Sequence, residues 1–234
     1  MILLSLNIRR VGVTLKQASM HRLLRKVKLD VIFLQEMLVD EEKACHFMLK
    51  FVPTLCSCAI ISMRNSGGLL ATWDPKKFLF LPSPYSEGNL VIYTSWKNNK
   101  DICLLNVYGT SIERKTLWDQ VALWALLGSK NLILVGYLKF TSGDDEAYGS
   151  TTQLDNLVDY FKNLIQDHQL VDQIPDEVVP TWRNDRNGVE IIAKRPDRVL
   201  FSESLLIDVG RYRTWVDLHY VSDHAPVESQ FKFQ

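Results

Sequence analysis

Apolar residues fall in short runs separated by polar breaks, at residues 2–6, 30–35, 56–62, 68–73, 88–96, 101–108, 131–136, 197–201 and 227–233. Runs of that length bounded by turn-forming residues predict β-strands. A second periodicity, with apolar residues three and four apart, predicts helices at 15–27 (Leu15, Ala18, Leu23, Leu24, Val27), 41–51, 114–127 (Leu117, Trp118, Val121, Leu123, Trp124, Leu127) and 154–168 (Leu154, Leu157, Val158, Phe161, Leu164, Ile165). Asp40 ahead of Glu41, and Ser111 ahead of Glu113 and Arg114, are helix starts. Ser66-Gly67-Gly68 and Asn98-Asn99-Lys100 read as hairpin connections. Strands outnumber helices and do not alternate with them strictly, which excludes a simple doubly wound parallel sheet. The pattern predicts an α/β chain of two packed mixed sheets flanked by helices. Their strand ends gather at one edge, where loop-borne chemistry collects.

Composition narrows this picture only modestly. At 234 residues, 47% hydrophobic and 23% charged, the chain reads as one domain over residues 1–234 with a sizeable core. Lys plus Arg and Asp plus Glu number 27 each, so there is no basic excess of the kind a dedicated nucleic-acid binder carries, although a local basic groove is compatible with it. No apolar run approaches the ~20 residues of a membrane span. Met1-Ile2-Leu3-Leu4-Ser5-Leu6 lacks a basic leader and is stopped by Asn7-Ile8-Arg9-Arg10, so it reads as a buried first strand. The expected location is intracellular, in nucleus or cytoplasm. Cys45, Cys56, Cys58 and Cys103 suit a reducing compartment, and Cys56-Ser57-Cys58 has no second pair to complete a zinc site.

The chemistry sits at strand ends. Asn7 follows the first run, Gln35-Glu36 the second, and Asn106-Val107-Tyr108-Gly109 the sixth. Asp197-Arg198 opens the next-to-last run, and Ser222-Asp223-His224 precedes the last. Each alone also reads as an ordinary polar strand end: Glu36 as a helix-entry carboxylate, His224 as a structural histidine. Trp118 and Trp124 sit at helical spacing and read as core. His21, Arg22, Arg25, Lys26 and Lys28 read as a solvated helix face, and Asp144-Asp145-Glu146 as a solvated turn. Lys97, Lys100, Arg183, Arg186, Lys194 and Arg195 lie in loops where they could flank a phosphate groove.

Taken in order, these motifs resemble the endonuclease/exonuclease/phosphatase superfamily, the deoxyribonuclease-I-like fold, and within it the endonuclease domain of plant non-LTR retrotransposons. The matching segments are Leu6-Asn7-Ile8-Arg9, Phe33-Leu34-Gln35-Glu36, Ser66-Gly67-Gly68-Leu69-Leu70, Asn106-Val107-Tyr108-Gly109, Thr181-Trp182-Arg183-Asn184, Arg195-Pro196-Asp197-Arg198 and Ser222-Asp223-His224, spread over nearly the whole chain. The resemblance implies a four-layer α/β/β/α sandwich with its site at one edge of the paired sheets. It implies Glu36 as the main Mg²⁺ ligand with Asn7 beside it, and His224 at the scissile phosphate. Asp223 would orient the imidazole or join the metal site, Tyr108 would reach a phosphate oxygen, and Asp197 would support His224. Trp182, Arg183 and Arg195 fall on the substrate side.

The departures from that pattern carry as much information. After the strand ending in Gly136 the family has an Asp, an aromatic residue and an Asn; this chain has Tyr137, Leu138 and Lys139. A phenol of ordinary pKa ~10 is a poor base at neutral pH, and Lys139 brings a cation to a metal's neighbourhood. Leu6 replaces a usual Trp, and Arg10 stands where Gly is common. The expectation is a degenerate, catalytically impaired member that acts by binding a protein or nucleic-acid partner. The alternative is an active Mg²⁺-dependent endonuclease or phosphodiesterase using Glu36, Asp223 and His224.

Overall fold

A computed structural model describes residues 1–11, 14–26, 28–60, 67–86, 89–96, 101–109, 114–123, 127–149, 155–184, 191–217 and 221–234. One six-stranded sheet contains β1 (Ile2–Asn7), β2 (Val31–Gln35), β3 (Cys56–Ile60), β4 (Leu69–Trp73), β14 (Val209–Val216) and β15 (Val227–Phe233), ordered β14-β15-β1-β2-β4-β3. The other contains β5 (Phe78–Ser86), β6 (Asn89–Trp96), β7 (Asp101–Tyr108), β8 (Leu132–Tyr137), β10 (Leu170–Asp172) and β13 (Asp197–Ser202), ordered β10-β13-β8-β7-β6-β5. Each sheet is antiparallel except for one central parallel pair, β1 with β2 and β7 with β8. A small third sheet joins β9 (Ala147–Gly149), β12 (Ile192–Lys194) and β11 (Trp182–Arg183).

Alternation along the strands sorts the apolar side chains into three layers. Leu3, Val31, Phe33 and Ala71 face Leu104, Ile133, Val135, Val199 and Phe201 between the sheets. The intervening residues Leu4, Leu6, Ile32 and Leu34 face outward onto α1 (Thr14–Lys26) and α2 (Glu41–Leu49), through Met20, Leu23, Phe47 and Met48. On the other side Leu105, Val107, Leu132 and Leu134 meet Trp118 and Val121 of α3 (Arg114–Leu123) and Phe161 and Leu164 of α4 (Val158–Asp167). The result is the expected α/β/β/α sandwich. The Asp40 side chain caps α2 by accepting from the Lys43 backbone N–H at 2.8 Å, as its position ahead of Glu41 predicts.

Two long strands, β5 and β14, escape the periodicity. β5 carries Pro82 and Pro84, which argue against a central strand; it forms a sheet edge, where a missing N–H donor is tolerated. β14 is the opposite kind of edge, with exposed Arg211, Tyr212 and Arg213 breaking any apolar run. Antiparallel pairing of β3 with β4 and of β6 with β7 agrees with the two hairpins. Ser66, Asn98-Asn99-Lys100, Lys97, Arg186, Ser111, Glu113, Trp124, Val27 and Leu154 lie outside the described residues.

The two sheets are joined near the site edge by a buried amide pair. Gln35 Nε2 donates to Asn106 Oδ1 at 2.8 Å and to Ser5 Oγ at 3.1 Å, while Asn106 Nδ2 donates to the Leu34 and Leu70 carbonyls at 3.4 and 3.2 Å. The segment after β8 is held by a second polar device. Glu146, predicted to sit in a solvated turn, is buried instead, because two arginines from the β12–β13 region reach it. Arg195 Nε donates to Glu146 Oε1 at 2.7 Å and its Nη2 to Asp172 Oδ2 at 2.8 Å; Arg198 bonds both acids and the Phe140 carbonyl. Burial alone would raise the Glu146 carboxyl, but Arg198 and Arg195 hold it below its ordinary range.

Removing one partner of such a network strands buried charge. Glu146→Ala should cost about 3–5 kcal/mol in urea unfolding, against about 1 kcal/mol or less for the exposed Lys115–Asp119 pair. A second prediction concerns Glu228, 2% exposed on β15, whose Oε2 has no hydrogen-bond partner among the described residues. Burial, with the Asp217 carboxylate adding, pushes it up to about 7, while Lys26 and a bond from Trp215 oppose. The folded state therefore binds this proton more tightly than the unfolded one, and stability falls as pH rises from about 4.5 through about 7, by roughly 3 kcal/mol. Glu228→Gln should flatten that slope and be the more stable protein at pH 8; parallel pH profiles of the two proteins would contradict the assignment.

Candidate functional site

Strand register brings the polar strand ends together. Asn7 lies level with Gln35 in the first sheet, and Glu36 follows directly. In the second sheet Tyr108, Tyr137 and Asp197 form one row across β7, β8 and β13. Gly136 makes this possible: its φ is 136°, and a Cβ there would fall 2.0 Å from the Val107 carbonyl oxygen. The segment Ser222-Asp223-His224 closes the edge. Ser222 Oγ donates to the Asn7 carbonyl at 2.6 Å, and β11 pairs with the segment through Trp182 and His224.

Backbone strain is concentrated here. Arg9, Arg10, Glu36 and Lys139 have φ values of 47°, 76°, 57° and 61°, four of the seven described non-glycine residues in the left-handed region. Arg10 holds a conformation that glycine adopts far more freely. Surrounding bonds hold the strain, among them Arg10 N–H to the Glu36 carbonyl at 2.8 Å, and Arg114 Nη1 to the Lys139 carbonyl at 2.5 Å.

Three groups of side chains meet. In the first, Asn7 Nδ2 donates to Glu36 Oε2 at 3.1 Å, and Asn7 Oδ1 accepts the Arg9 N–H at 3.1 Å. Asp223 accepts on one oxygen from both Arg9 Nη1 and Trp182 Nε1, the latter at 2.8 Å. In the second, Asp197 Oδ2 accepts from Thr181 Oγ1 at 2.7 Å and from His224 Nδ1 at 2.8 Å, all buried. That bond fixes the imidazole so that Nε2 is the nitrogen left for proton exchange.

The third group is aromatic. Tyr137 packs edge-on against His224 with centroids 4.7 Å apart and lies 5.8 Å from Tyr108. The Lys139 ammonium sits over both phenol rings, 5.2 Å from Tyr108 and 5.1 Å from Tyr137. Burial pushes the Tyr137 hydroxyl above its ordinary range, with Asp197, Tyr108 and Glu36 adding; burial and the Glu36 carboxylate raise Tyr108 likewise. Burial lowers Lys139 to about 8; Glu36 opposes this, and Arg114 and Arg9 add to it.

These residues do not fit a divalent cation as they stand. Mg²⁺ requires hard oxygen donors in near-octahedral array. Asn7 turns its NH₂ toward Glu36 and has its oxygen taken by a backbone N–H, while Asp223 is engaged by Arg9 and Trp182. Among the described residues no group of three or more His, Cys, Asp or Glu is placed so that it could hold a metal ion.

The structure thus gathers Asn7, Glu36, Tyr108, Tyr137, Lys139, Asp197, Asp223, His224 and Trp182 at one edge. Arg183 is exposed on β11 beside Trp182, and its N–H donates to the Asp223 carbonyl at 3.1 Å. Arg195 is the exception to the substrate-side expectation: it is buried and bound to Glu146 and Asp172, so its charge is already neutralised. The sequence does not mark the roles of Arg9 and Thr181. Their partners lie 214 and 16 residues away, and nothing local marks the pairing.

The sequence matches no family model and no curated protein. Solved structures match it throughout. The endonuclease domain of TRAS1, a telomere-specific non-LTR retrotransposon, superposes with a TM-score of 0.75 at 15% identity, covering 100% of this chain and 98% of that one. The 3′ phosphatase NExo from Neisseria, bound to a product DNA hairpin, gives 0.72 at 19% identity over 100% of both. The AP endonuclease LMAP from Leishmania major gives 0.78 at 14% identity, over 99% and 87%. The chain has the endonuclease/exonuclease/phosphatase fold, as the sequence resemblance implied. Among the described residues no helix is long and apolar enough to cross a membrane.

The perturbed lysine can be read directly. After reductive methylation with carbon-13, NMR should show one lysine, lost in Lys139→Gln, titrating near pH 8 while the bulk titrates near ~10.4. Below pH 8 the site carries the ammonium, and above it the charge is lost. A Lys139 signal titrating with the bulk would refute the buried, cation-crowded environment.

Proposed function

We propose that this chain is a hydrolytically impaired protein on the endonuclease/exonuclease/phosphatase fold, acting by binding nucleic acid rather than cutting it. One observation carries the reading: the Tyr137 phenol and the Lys139 ammonium occupy the strand end beside His224 and Glu36. Activating a water there needs a group that accepts a proton near neutral pH, a contribution worth ~10²–10⁴ in rate. Tyr137 is displaced in the wrong direction by its burial, and Lys139 is protonated at pH 7. Tyr137 does not serve as that base at neutral pH, and at pH 7 Lys139 is mostly in its cationic form. Both suit a phosphate, the ammonium as a donor of charge-assisted hydrogen bonds and the rings as the surface that positions it. Exposed Arg183 adds a cation beside the site. The DNA hairpin bound to the Neisseria phosphatase is consistent with nucleic acid as the partner of a similar fold. Four free cysteines accord with the reducing interior of a cell.

The intact Asp197–His224 pair favours a second reading, an active Mg²⁺-dependent endonuclease or phosphodiesterase, since it is the arrangement that would steady developing charge on a phosphate. Supercoiled plasmid with Mg²⁺ or Mn²⁺ separates the two. Wild type should leave the plasmid intact, and Tyr137→Asp/Lys139→Asn should cut it at least ~10²-fold faster. Nicking by wild type that disappears in Glu36→Ala would replace the first reading with the second.

A further inference from the structure

We infer that Arg9 and Lys139 perform the electrostatic task of a divalent cation, so that the site holds a nucleic-acid phosphate without metal. The inference rests on the binding role proposed above and adds how the phosphate is held. Its starting point is the misfit between the donor set and Mg²⁺.

The charges around the strand ends already balance. Glu36, Asp223 and Asp197 supply three carboxylates; Arg9 and Lys16 lie within electrostatic reach of Glu36 and Asp223, and Lys139 within reach of Glu36. A divalent ion is drawn to an excess of carboxylates, and here there is none. Substituting Tyr137→Asp and Lys139→Asn would move the site by two negative charges, the amount one divalent cation offsets.

Geometry places the cations where they can meet a ligand. Arg9 leaves β1 on a left-handed backbone, and its side chain is 53% exposed although it is paired with Asp223. The guanidinium has five N–H donors, and the described bond to Asp223 uses one of them. Trp182 donates to the same Asp223 oxygen, which holds that carboxylate in place independently of the arginine. Lys16 Nζ donates to the Ile8 and Arg9 carbonyls at 2.9 and 2.6 Å and so fixes the loop that carries Arg9. Lys139 is held by its strained backbone and by the two phenol rings. A phosphate between Arg9 and Lys139 would receive forked donors from one and a point charge from the other.

The test is fluorescence anisotropy with a labelled single-stranded DNA oligonucleotide and its duplex, in EDTA and in Mg²⁺, at several salt concentrations. Wild-type affinity should differ less than about twofold between EDTA and Mg²⁺ at matched ionic strength. Lys139→Gln and Arg9→Gln should each weaken binding about tenfold and lower the salt slope by about one, as expected for a lost phosphate contact. Lys139→Arg should retain affinity, which separates loss of charge from damage to the fold. Tyr137→Asp/Lys139→Asn should bind only when Mg²⁺ is present. Wild-type binding abolished by EDTA, absent in both buffers, or unchanged in the two charge-removing variants would overturn the inference. Plasmid cleavage by wild type would instead defeat the binding role itself, whereas EDTA-sensitive binding without cleavage would defeat only the metal-free account.

Discussion

The buried amide pair Gln35–Asn106 is the constraint on which the site depends. Both side chains are fully buried between sheets that otherwise touch through Leu, Val, Ile and Phe. Apolar layers slide at little cost, because the hydrophobic effect is not directional. Amides in that layer favour the arrangement that gives them partners, and three such bonds cross between the sheets at this relative position, although Gln35 Oε1 has no partner among the described residues. Glu36 is the residue after Gln35, and Tyr108 lies two after Asn106. The bond that joins the two amides therefore also brings the two rows of strand ends face to face.

From that position the rest of the edge follows by local rules. β1 and β2 end level, so Asn7 meets Glu36, and the chain turns sharply at both ends through left-handed residues. The loop after β8 would be free to carry Lys139 elsewhere were it not held by Arg114 at one point and by the Glu146–Arg195–Arg198–Asp172 network at another. Buried ion networks are weak contributors to net stability but severe when broken. Here the network takes Arg195 and Arg198 into the interior and fixes where the loop can run.

The aromatic cluster changes what this edge can do. After Gly136, Tyr137 places an aromatic ring edge-on against the His224 imidazole, where a carboxylate would place a charge. Lys139 is half-buried there, and the ring faces and Glu36 only partly offset the loss of solvent around its ammonium.

How much of this could be read beforehand differs by element. Strands with uninterrupted apolar alternation, such as Leu3 to Leu6 and Leu132 to Val135, declared themselves, and so did the helices of α2 and α3. The polar residues at their ends were legible as a set because each stands at a fixed offset from a strand. β5 and β14 were not, since edge strands may carry proline and charge that a central strand excludes. Nor could the sequence distinguish Arg195, which is buried, from Arg183, which is exposed, as both sit in similar polar stretches. The sequence by itself determined the layers and the residues at their ends, because burial periodicity is a local property. Only the tertiary structure decided the pairings Arg9–Asp223, Asp197–His224 and Glu146–Arg198, because ion pairs and hydrogen bonds depend on distance in space, which residue order does not record.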